Sequence, residues 1–336
     1  MKKFIVVLLV FLMSFGFTFA GGGRDRGQGG QVRLLAYCPS SLTSVPTRAL
    51  IKFAELVYTA SNGEILITVR HSGELGNDAD SLQSTRMGTI DIYFGGTSTF
   101  TTFYNRANIL DLPFLFQDSW QAYEFVNSPA GADIFSDLPS FGLVFLAQGD
   151  NGMRQIATTG RPVHHVNDVS GMRVRVPVSQ LYMDVWEALG ATPIMLPLPE
   201  LSIALATGIA EAQDNATFHV VANATYDDIR YFSFINYAWM GTTLAMNSVS
   251  WNRLSPEHQR ILREQARVMA RYTFEAIERD NATAMEFLRA RGVQFNMNPD
   301  VQSFRNRLGG VEFYRRYANE PWFDQNVINQ IMALHR

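Results

Sequence analysis

Residues 171–215 constrain the fold of this chain more than any other stretch, because strand and helix patterns alternate within them. Arginine and valine alternate from position 173 to position 176, which predicts a short strand. Pro177 ends this strand because proline has no N–H for the ladder, and Ser179 then stands at the N-cap of a predicted helix. A second unit of strand, helix and strand runs on to Asn215. This β-α-β-α-β order predicts an α/β fold.

Arg175 stands at the carboxyl end of the first strand in this stretch. In open α/β sheets the carboxyl ends of the strands face the ligand crevice, and helix N-termini beside them favour anions. A guanidinium group can also bind a carboxylate through two parallel hydrogen bonds. Arg175 is therefore a candidate for holding an anion. The alternative is a surface arginine at a strand edge, which is the interpretation that we prefer for Arg173.

A second constraint is a very long predicted helix near the carboxyl end of the chain. Ser255 and Pro256 are typical of a helix start, and residues 257–291 contain neither glycine nor proline. At about 1.5 Å per residue such a helix would be about 52 Å long. It exceeds one lobe, so it either braces two lobes or bends between them. The length of 336 residues also favours two lobes over one small core.

The amino terminus predicts export. Residues 1–20 have two lysines, an apolar core and small residues before a possible cleavage site, which is typical of a signal peptide. An uncleaved membrane anchor is the alternative, although the apolar run is short for a span. Residues 21–30 are rich in glycine and predict a flexible linker. We therefore expect a periplasmic protein, in which Cys38, the one cysteine, cannot form an internal disulfide and is interpreted as a buried strand thiol.

The composition excludes several classes of function. The chain has 28 basic and 31 acidic side chains and no basic patch, which argues against nucleic-acid binding. His164 and His165 stand without a cluster of cysteine or acidic residues, so we predict no metal and no cofactor. No glycine-flanked serine motif of a hydrolase occurs. An exported α/β enzyme that acts on an acid substrate remains the least favoured alternative.

Nine short motifs, each weak alone, resemble one known family when they are taken in order and spacing. They are Phe53-Ala54-Glu55-Leu56, Gly73-Glu74-Leu75-Gly76, Gly88-Thr89-Ile90-Asp91, Leu112-Pro113-Phe114-Leu115-Phe116, Gly152-Met153-Arg154-Gln155, Gly171-Met172-Arg173-Val174-Arg175-Val176-Pro177, Ala188-Leu189-Gly190-Ala191, Ala204-Leu205-Ala206-Thr207-Gly208 and Gln213-Asp214-Asn215. Over about residues 32–300 the chain resembles the substrate-binding proteins of TRAP transporters (tripartite ATP-independent periplasmic transporters), of the C4-dicarboxylate-binding, DctP-type family.

The resemblance implies a two-lobed, periplasmic-binding-protein-like α/β fold with central sheets, an interlobe cleft and a long bracing helix. We expect lobe I to comprise residues 31–150 and about 240–280, and lobe II to comprise residues 151–239 and about 281–336. The resemblance further implies no catalysis. The lobes would close on a small organic acid and deliver it to a TRAP membrane permease. A binding protein that serves a sensor kinase is an alternative that the sequence leaves open.

The resemblance also assigns roles to three polar residues. Arg175 would pair with the ligand carboxylate, Arg154 would assist it, and Asn215 would hydrogen-bond the same end of the ligand. For Arg154 a structural pair with an acid is an open alternative. For Asn215 the alternative is a turn residue that caps the next element.

Four further residues are expected to line the pocket by their positions in the family. Tyr237 would supply a polar ring, Ser179 and Leu198 fall at lining positions, and Thr97 belongs to the loop 95–99 at the far end. This loop carries neither an acid nor an arginine, and Leu198 replaces a phenylalanine of the sialic-acid-binding members. We therefore expect a pocket that differs from theirs in size and polarity.

Overall fold

The computed structural model of the protein describes residues 30–335, so the signal peptide predicted for 1–20 and nearly all of the linker predicted for 21–30 lie outside the described residues. The strands are β1 (Val32–Tyr37), β2 (Ile65–Arg70), β3 (Ile92–Gly96), β4 (Leu143–Thr158), β5 (Arg173–Val176), β6 (Thr192–Met195), β7 (Ala212–Asn215), β8 (Tyr231–Asn247) and β9 (Gln294–Asn296). None of the helices in this range is long and apolar enough to cross a membrane.

The helices lie between and after these strands. They are α1 (Val45–Ala60), α2 (Asp78–Arg86), α3 (Thr97–Phe100), α4 (Ser119–Val126), α5 (Pro129–Asp133), α6 (Gln180–Ala188), α7 (Leu201–Ala206), α8 (Thr217–Ala222), α9 (Ser248–Asn252), α10 (Pro256–Ala290), α11 (Val301–Leu308), α12 (Glu312–Arg315) and α13 (Gln325–Met332). Short 3-10 turns span Asn105–Asp111, Leu138–Phe141, Val166–Val169 and Leu198–Glu200.

The strands form one sheet in the order β2-β1-β3-β8-β4-β7-β5-β6, with β9 beside β8. The pairs at both ends of the sheet are parallel, as the alternation of strands and helices predicted. In the middle, β8 runs antiparallel to β3 and to β4, and β4 runs antiparallel to β7. These antiparallel pairings join the two parallel groups.

The predicted strand-helix alternation of residues 171–215 is confirmed as β5, α6, β6, α7 and β7. The strand β5 lies between β6 and β7 and is parallel to both. Ser179 occupies the N-cap of α6 with extended backbone angles, although its side chain makes no capping hydrogen bond. Since the three strands are parallel, their carboxyl ends meet at one edge of the sheet. That edge carries the candidate site.

The long helix is also confirmed, from Pro256 to Ala290, with 35 residues. The Ser255 side chain caps it by accepting from the His258 N–H, and Pro256 stands in its first turn. The helix contributes buried side chains to each of the four apolar clusters of the described residues, from Ile261 near its start to Leu288 near its end. It therefore ties separate parts of the core together.

The strands β4 and β8, with 16 and 17 residues, are long enough to take part in both groups of strands. Their pairing slips between Asp150 and Met153, where Gly152 has a φ of 89°. The expected lobe boundaries, at 150/151 and 239/240, fall beside this irregularity. The division into these lobes stays a prediction.

We expect Gly152→Ala to lower the free energy of unfolding by more than Gly208→Ala does. Both glycines have a positive φ, where an alanine costs about 1–2 kcal/mol. A Cβ at 152 would also lie 3.0 Å from the Ala216 Cβ, whereas a Cβ at 208 would meet nothing within 4 Å. Urea denaturation of the two variants measures the difference. Equal losses would show that crowding at the β4 irregularity contributes nothing.

Candidate ligand-binding site

Three of the residues predicted from the sequence meet at the carboxyl edge of β5, β6 and β7. Arg175 lies in β5 opposite Gln213 of β7, and Asn215 ends β7. The antiparallel strand β4 pairs its Gln155 with Asn215, so Arg154 lies just beyond the end of β7. The topology thus brings Arg175, Arg154 and Asn215 to the same edge.

Arg175 is a buried cation without an acidic partner. Only 3% of the residue is exposed, and its Nε and Nη2 atoms both donate to the Leu196 carbonyl at 2.9 and 2.7 Å. Among the described residues it forms no ion pair. Burial lowers the pKa of Arg175 to about 10, with the charge of Asp214 opposing and that of Arg154 adding to the shift. The group remains charged at neutral pH, and Asp214, Asp78 and Glu200 act on it without forming an ion pair.

Arg154, in contrast, has an acidic partner within the protein. Its Nη1 atom donates to the Asp214 carbonyl at 2.8 Å and to the Asp214 carboxylate at 3.2 Å. The guanidinium carbon lies 4.1 Å from the centre of the Tyr182 ring, within reach of a cation–π interaction. Burial acts to lower the pKa of Arg154, but Tyr182 and Asp214 together raise it. The structural pair that the sequence left open for Arg154 is therefore present.

The Asp214 carboxylate connects several of these groups. It is fully buried and accepts hydrogen bonds from Arg154, from the Tyr237 hydroxyl and from the Trp186 indole, the last at 3.2 Å. Burial, and next the charge of Asp214, raise the pKa of Tyr237 well above its ordinary value. The Tyr237 hydroxyl is therefore protonated and donates to Asp214. Tyr237 lies beside the arginine edge, as expected, but its hydroxyl is used within the protein.

The two other polar residues at this edge differ in their hydrogen bonds. The Asn215 amide donates to the Gln213 side chain at 3.0 Å, and Gln213 in turn donates to Thr225 at 2.8 Å. The Ser179 hydroxyl is buried and has no partner among the described residues. Asn215 is therefore oriented by a neighbour, whereas Ser179 keeps its hydrogen-bonding capacity.

Thr97 and Leu198 lie in different surroundings. The Thr97 hydroxyl, at the start of α3, accepts from the Gln148 amide at 2.5 Å and lies 2.9 Å from the Thr243 hydroxyl, in a buried network of α3, β4 and β8. Leu198 is half-buried and packs against the apolar cluster that includes Leu201. In the described part of the chain neither residue accepts a hydrogen bond from Arg154 or Arg175, which donate to Asp214 and Leu196. Their roles in ligand binding stay predictions.

The structure adds three polar residues that the sequence reasoning missed, namely Asp111, Tyr182 and His219. Each is buried and carries a polar atom without a hydrogen-bond partner among the described residues: Asp111 Oδ2, Tyr182 OH and His219 Nε2. The charge of Arg154 influences all three. Asp111 is the one acidic residue within the apolar run 109–116, and this exception to the pattern could have identified it. No local pattern identified the other two.

Burial shifts the pKa values of two of these groups in opposite directions. It raises the pKa of the Asp111 carboxyl to about 7, against the influence of Arg154 and Tyr182. It lowers the pKa of the His219 imidazole to about 3, and the positive charges of Arg154 and Arg175 lower it further. At neutral pH the imidazole is therefore uncharged. Asp111 and His219 therefore add hydrogen-bonding atoms near Arg154 and Arg175 without adding a third positive charge.

A cavity of about 270 Å³ lies between α4, α10 and the irregularity of β4, and its lining includes Met153, Gln155 and Ala216, the chain neighbours of Arg154 and Asn215. Trp120, Asp150 and Phe274 are among its lining residues, and none of the seven residues predicted to bind ligand is. This cavity offers a position for comparison in binding experiments.

Comparisons with known proteins identify relatives of the chain. The sequence profile of the bacterial extracellular solute-binding proteins, family 7, matches residues 36–319. An uncharacterized protein of Sinorhizobium fredii is 32% identical over 208 residues, which are 62% of this chain and 38% of that protein, so the chain spans well under half of its length. The 2,3-diketo-L-gulonate-binding periplasmic protein YiaO of Escherichia coli is 28% identical over 259 residues, which are 77% of this chain and 79% of that protein.

The fold also matches solved structures. A crystal structure of a TRAP periplasmic solute-binding protein from a Polaromonas species, bound to D-erythronate, has a TM-score of 0.86 and 23% identity. The match covers 91% of this chain and all of that one, at 100%. The predicted two-lobed α/β fold is therefore confirmed.

We expect Asp214→Asn to lower the free energy of unfolding by about 3–5 kcal/mol, because it leaves the Arg154 charge buried without its acid. The matched control is Glu211→Gln, which removes the exposed pair with Arg173 and should cost less than about 1 kcal/mol. Urea denaturation of both variants at pH 7 gives the values. Similar losses in the two variants would contradict the importance of the Asp214 pair.

We expect Asp111 to make the protein less stable as the pH rises from about 4 to about 7. Burial raises the pKa of the folded carboxyl to about 7, while an unfolded aspartate titrates at about 3.9. Between these values the unfolded chain has released the proton that the folded protein retains, so a rising pH favours unfolding. Asp111→Asn should reduce this slope in thermal melts at pH 4.5 to 7.5. An unchanged slope would contradict the assignment.

Proposed function

The chain belongs to the bacterial extracellular solute-binding proteins of family 7, and on this basis we propose that it captures a small organic acid and delivers it to a TRAP membrane permease for ion-coupled uptake. One observation carries the proposal: Arg175 is buried at the carboxyl edge of three parallel strands and forms no ion pair with an acid among the described residues. The family consists of substrate-binding transport proteins rather than enzymes. The protein would therefore bind its solute without changing it.

The proposal follows from the cost of burying a charge. Removing a guanidinium from water costs several kcal/mol, and a carboxylate held by charge-assisted hydrogen bonds offsets much of that cost. Arg154 has its carboxylate in Asp214, whereas Arg175 has only the Leu196 carbonyl. A ligand carboxylate would supply the missing negative charge. Arg175 would orient the ligand, and Arg154 and Asn215 would hold the same end.

The ligands of two similar proteins support an acid. YiaO is named for binding 2,3-diketo-L-gulonate, and the Polaromonas protein was crystallised with D-erythronate. Both compounds contain a carboxylate. The Arg175 edge fits the same chemical group.

Capture would proceed as a shift between open and closed forms. The acid would first bind to the arginines of lobe II, and closure of lobe I, which carries Thr97, would add further contacts. A ligand favours closure only to the extent that it binds the closed form more tightly. We propose that this takes place in the periplasm, with the closed complex docking on the permease. A sensor kinase is the second candidate partner, and solute uptake by cells that lack this chain separates the two.

We expect Arg175→Lys to weaken carboxylate binding by about 2–5 kcal/mol, because lysine keeps the buried charge but cannot form the two-bond fork that aligns a carboxylate. Isothermal titration with an acid first identified in a thermal-shift screen measures the loss. Arg173→Lys, on the same strand but exposed, is the matched control.

Trp120→Ala, a change in the cavity between α4 and α10 at a side chain that packs on Tyr123 and Phe274, serves as a second control and should leave the affinity unchanged. Unchanged affinity in Arg175→Lys would remove Arg175 from the site. If only uncharged solutes raise the melting temperature, the proposal of an organic acid is wrong. Circular dichroism of each variant verifies that it is folded.

A further inference from the structure

We propose that His219 is a specificity-determining residue that binds a hydroxyl group of the ligand, and that the ligand is consequently a hydroxylated monocarboxylate rather than a dicarboxylate. This inference rests on the proposed function, because it takes the carboxylate to be held by Arg175. It adds a residue that the family resemblance did not assign and a narrower class of ligand.

The position of His219 carries the first step. It lies in α8, four residues after Asn215, and only 5% of the residue is exposed. Its Nε2 atom is buried and has no hydrogen-bond partner among the described residues. An unpaired buried polar atom of this kind costs about 1–3 kcal/mol, so a ligand group that pairs with it is favoured.

The chemistry of the imidazole selects the ligand group. The ring is uncharged at neutral pH, since burial and the two neighbouring arginines oppose its protonation. In an uncharged ring Nε2 either donates or accepts, according to the tautomer. A hydroxyl can do both and therefore matches either tautomer, whereas an ionised carboxylate can only accept. A hydroxyl is thus the group that His219 is best suited to bind.

The balance of charge argues against a second carboxylate. Among the lysine and arginine side chains of residues 30–335, only Arg154 and Arg175 are buried, and Asp214 already neutralises Arg154. Two further acids act on these arginines, Asp111 on Arg154 and Asp78 on Arg175. A second ligand carboxylate would lie near these acidic side chains, although it needs a positive charge to pair with. One carboxylate satisfies Arg175 and leaves no further positive charge to neutralise.

Other polar atoms at this edge suit hydroxyl groups as well. Ser179 Oγ is buried and unpartnered within the described range, and Asp111 Oδ2 and Tyr182 OH are buried beside each other without a hydrogen bond of good geometry. A carboxylate oxygen accepts from a hydroxyl, and protein hydroxyls both accept and donate. A ligand with several hydroxyls can therefore satisfy several of these atoms, which an unsubstituted acid of equal length cannot do.

The test compares acids with and without hydroxyl groups by isothermal titration at pH 7.5, with D-erythronate, butyrate and succinate matched at four carbons. D-Glycerate, D-erythronate and D-gluconate are the hydroxylated monocarboxylates, butyrate is the four-carbon acid without hydroxyls, and succinate is the four-carbon dicarboxylate. We expect at least one hydroxylated acid to bind, and to bind about tenfold or more tighter than butyrate and succinate, because each lost pairing leaves buried polar atoms unsatisfied.

The variant His219→Leu should weaken binding of the hydroxylated acid about tenfold and leave butyrate nearly unchanged, so that the ratio of the two affinities falls. His219→Gln retains an uncharged donor and acceptor and should recover part of the ratio. If His219→Leu does not fold, His219→Gln still tests the role of His219. His165→Leu, a histidine on the exposed surface, is the matched control and should leave the ratio unchanged.

The outcomes separate the two proposals. An unchanged ratio in both folded His219 variants would overturn the role of His219. Tightest binding of succinate would overturn the monocarboxylate class while leaving Arg175 as the carboxylate site. No binding of any hydroxylated acid would also overturn the inference. Failure of every carboxylate, including those of the wider thermal-shift screen, would contradict the proposed function itself.

Discussion

The buried carboxylate of Asp214 determines how the rest of the candidate site is arranged. It holds Arg154 through an ion pair and also accepts hydrogen bonds from Tyr237 and Trp186. Because Asp214 neutralises Arg154, the other buried arginine is left with a backbone carbonyl as its acceptor. One internal ion pair therefore distinguishes the two buried arginines. The charge of Arg154 is paired within the protein, whereas the charge of Arg175 is available for a ligand.

The pairing of strands across the sheet explains how the edge that carries Arg175 can be held in place and still be reached by a ligand. The strands β8 and β4 lie between the two groups of parallel strands, and the helix α10 packs on β4, so these three segments run through the middle of the fold. Motion of the predicted lobes would use local irregularity in these segments rather than loss of pairing. The slip in register beside Gly152 supplies such a place in β4. Arg154 follows it immediately, so the geometry of the joint and that of the site are linked.

Local patterns predicted much of this architecture. The strand β5 agrees with the predicted range 173–176, and α10 was predicted to within one residue at each end, because caps, proline, glycine and periodicity are local signals. The pairing of β4 with β8 and the contacts of Arg154 with Asp214 join residues that are far apart in sequence, and no local pattern specifies them. The same reason explains why His219 was missed, since its environment is created only by folding.

Arg173 and Arg175 show most clearly what burial adds to sequence. They are the same residue type on the same strand and, being two positions apart, on the same face. Arg173 is exposed and pairs with Glu211, whereas Arg175 lies nearer the carboxyl edge and is buried without an acid. Burial of this charge without an ion pair destabilises the ligand-free protein, and a carboxylate bound there would relieve the cost. The cost in the empty site would then contribute to the affinity for an anion.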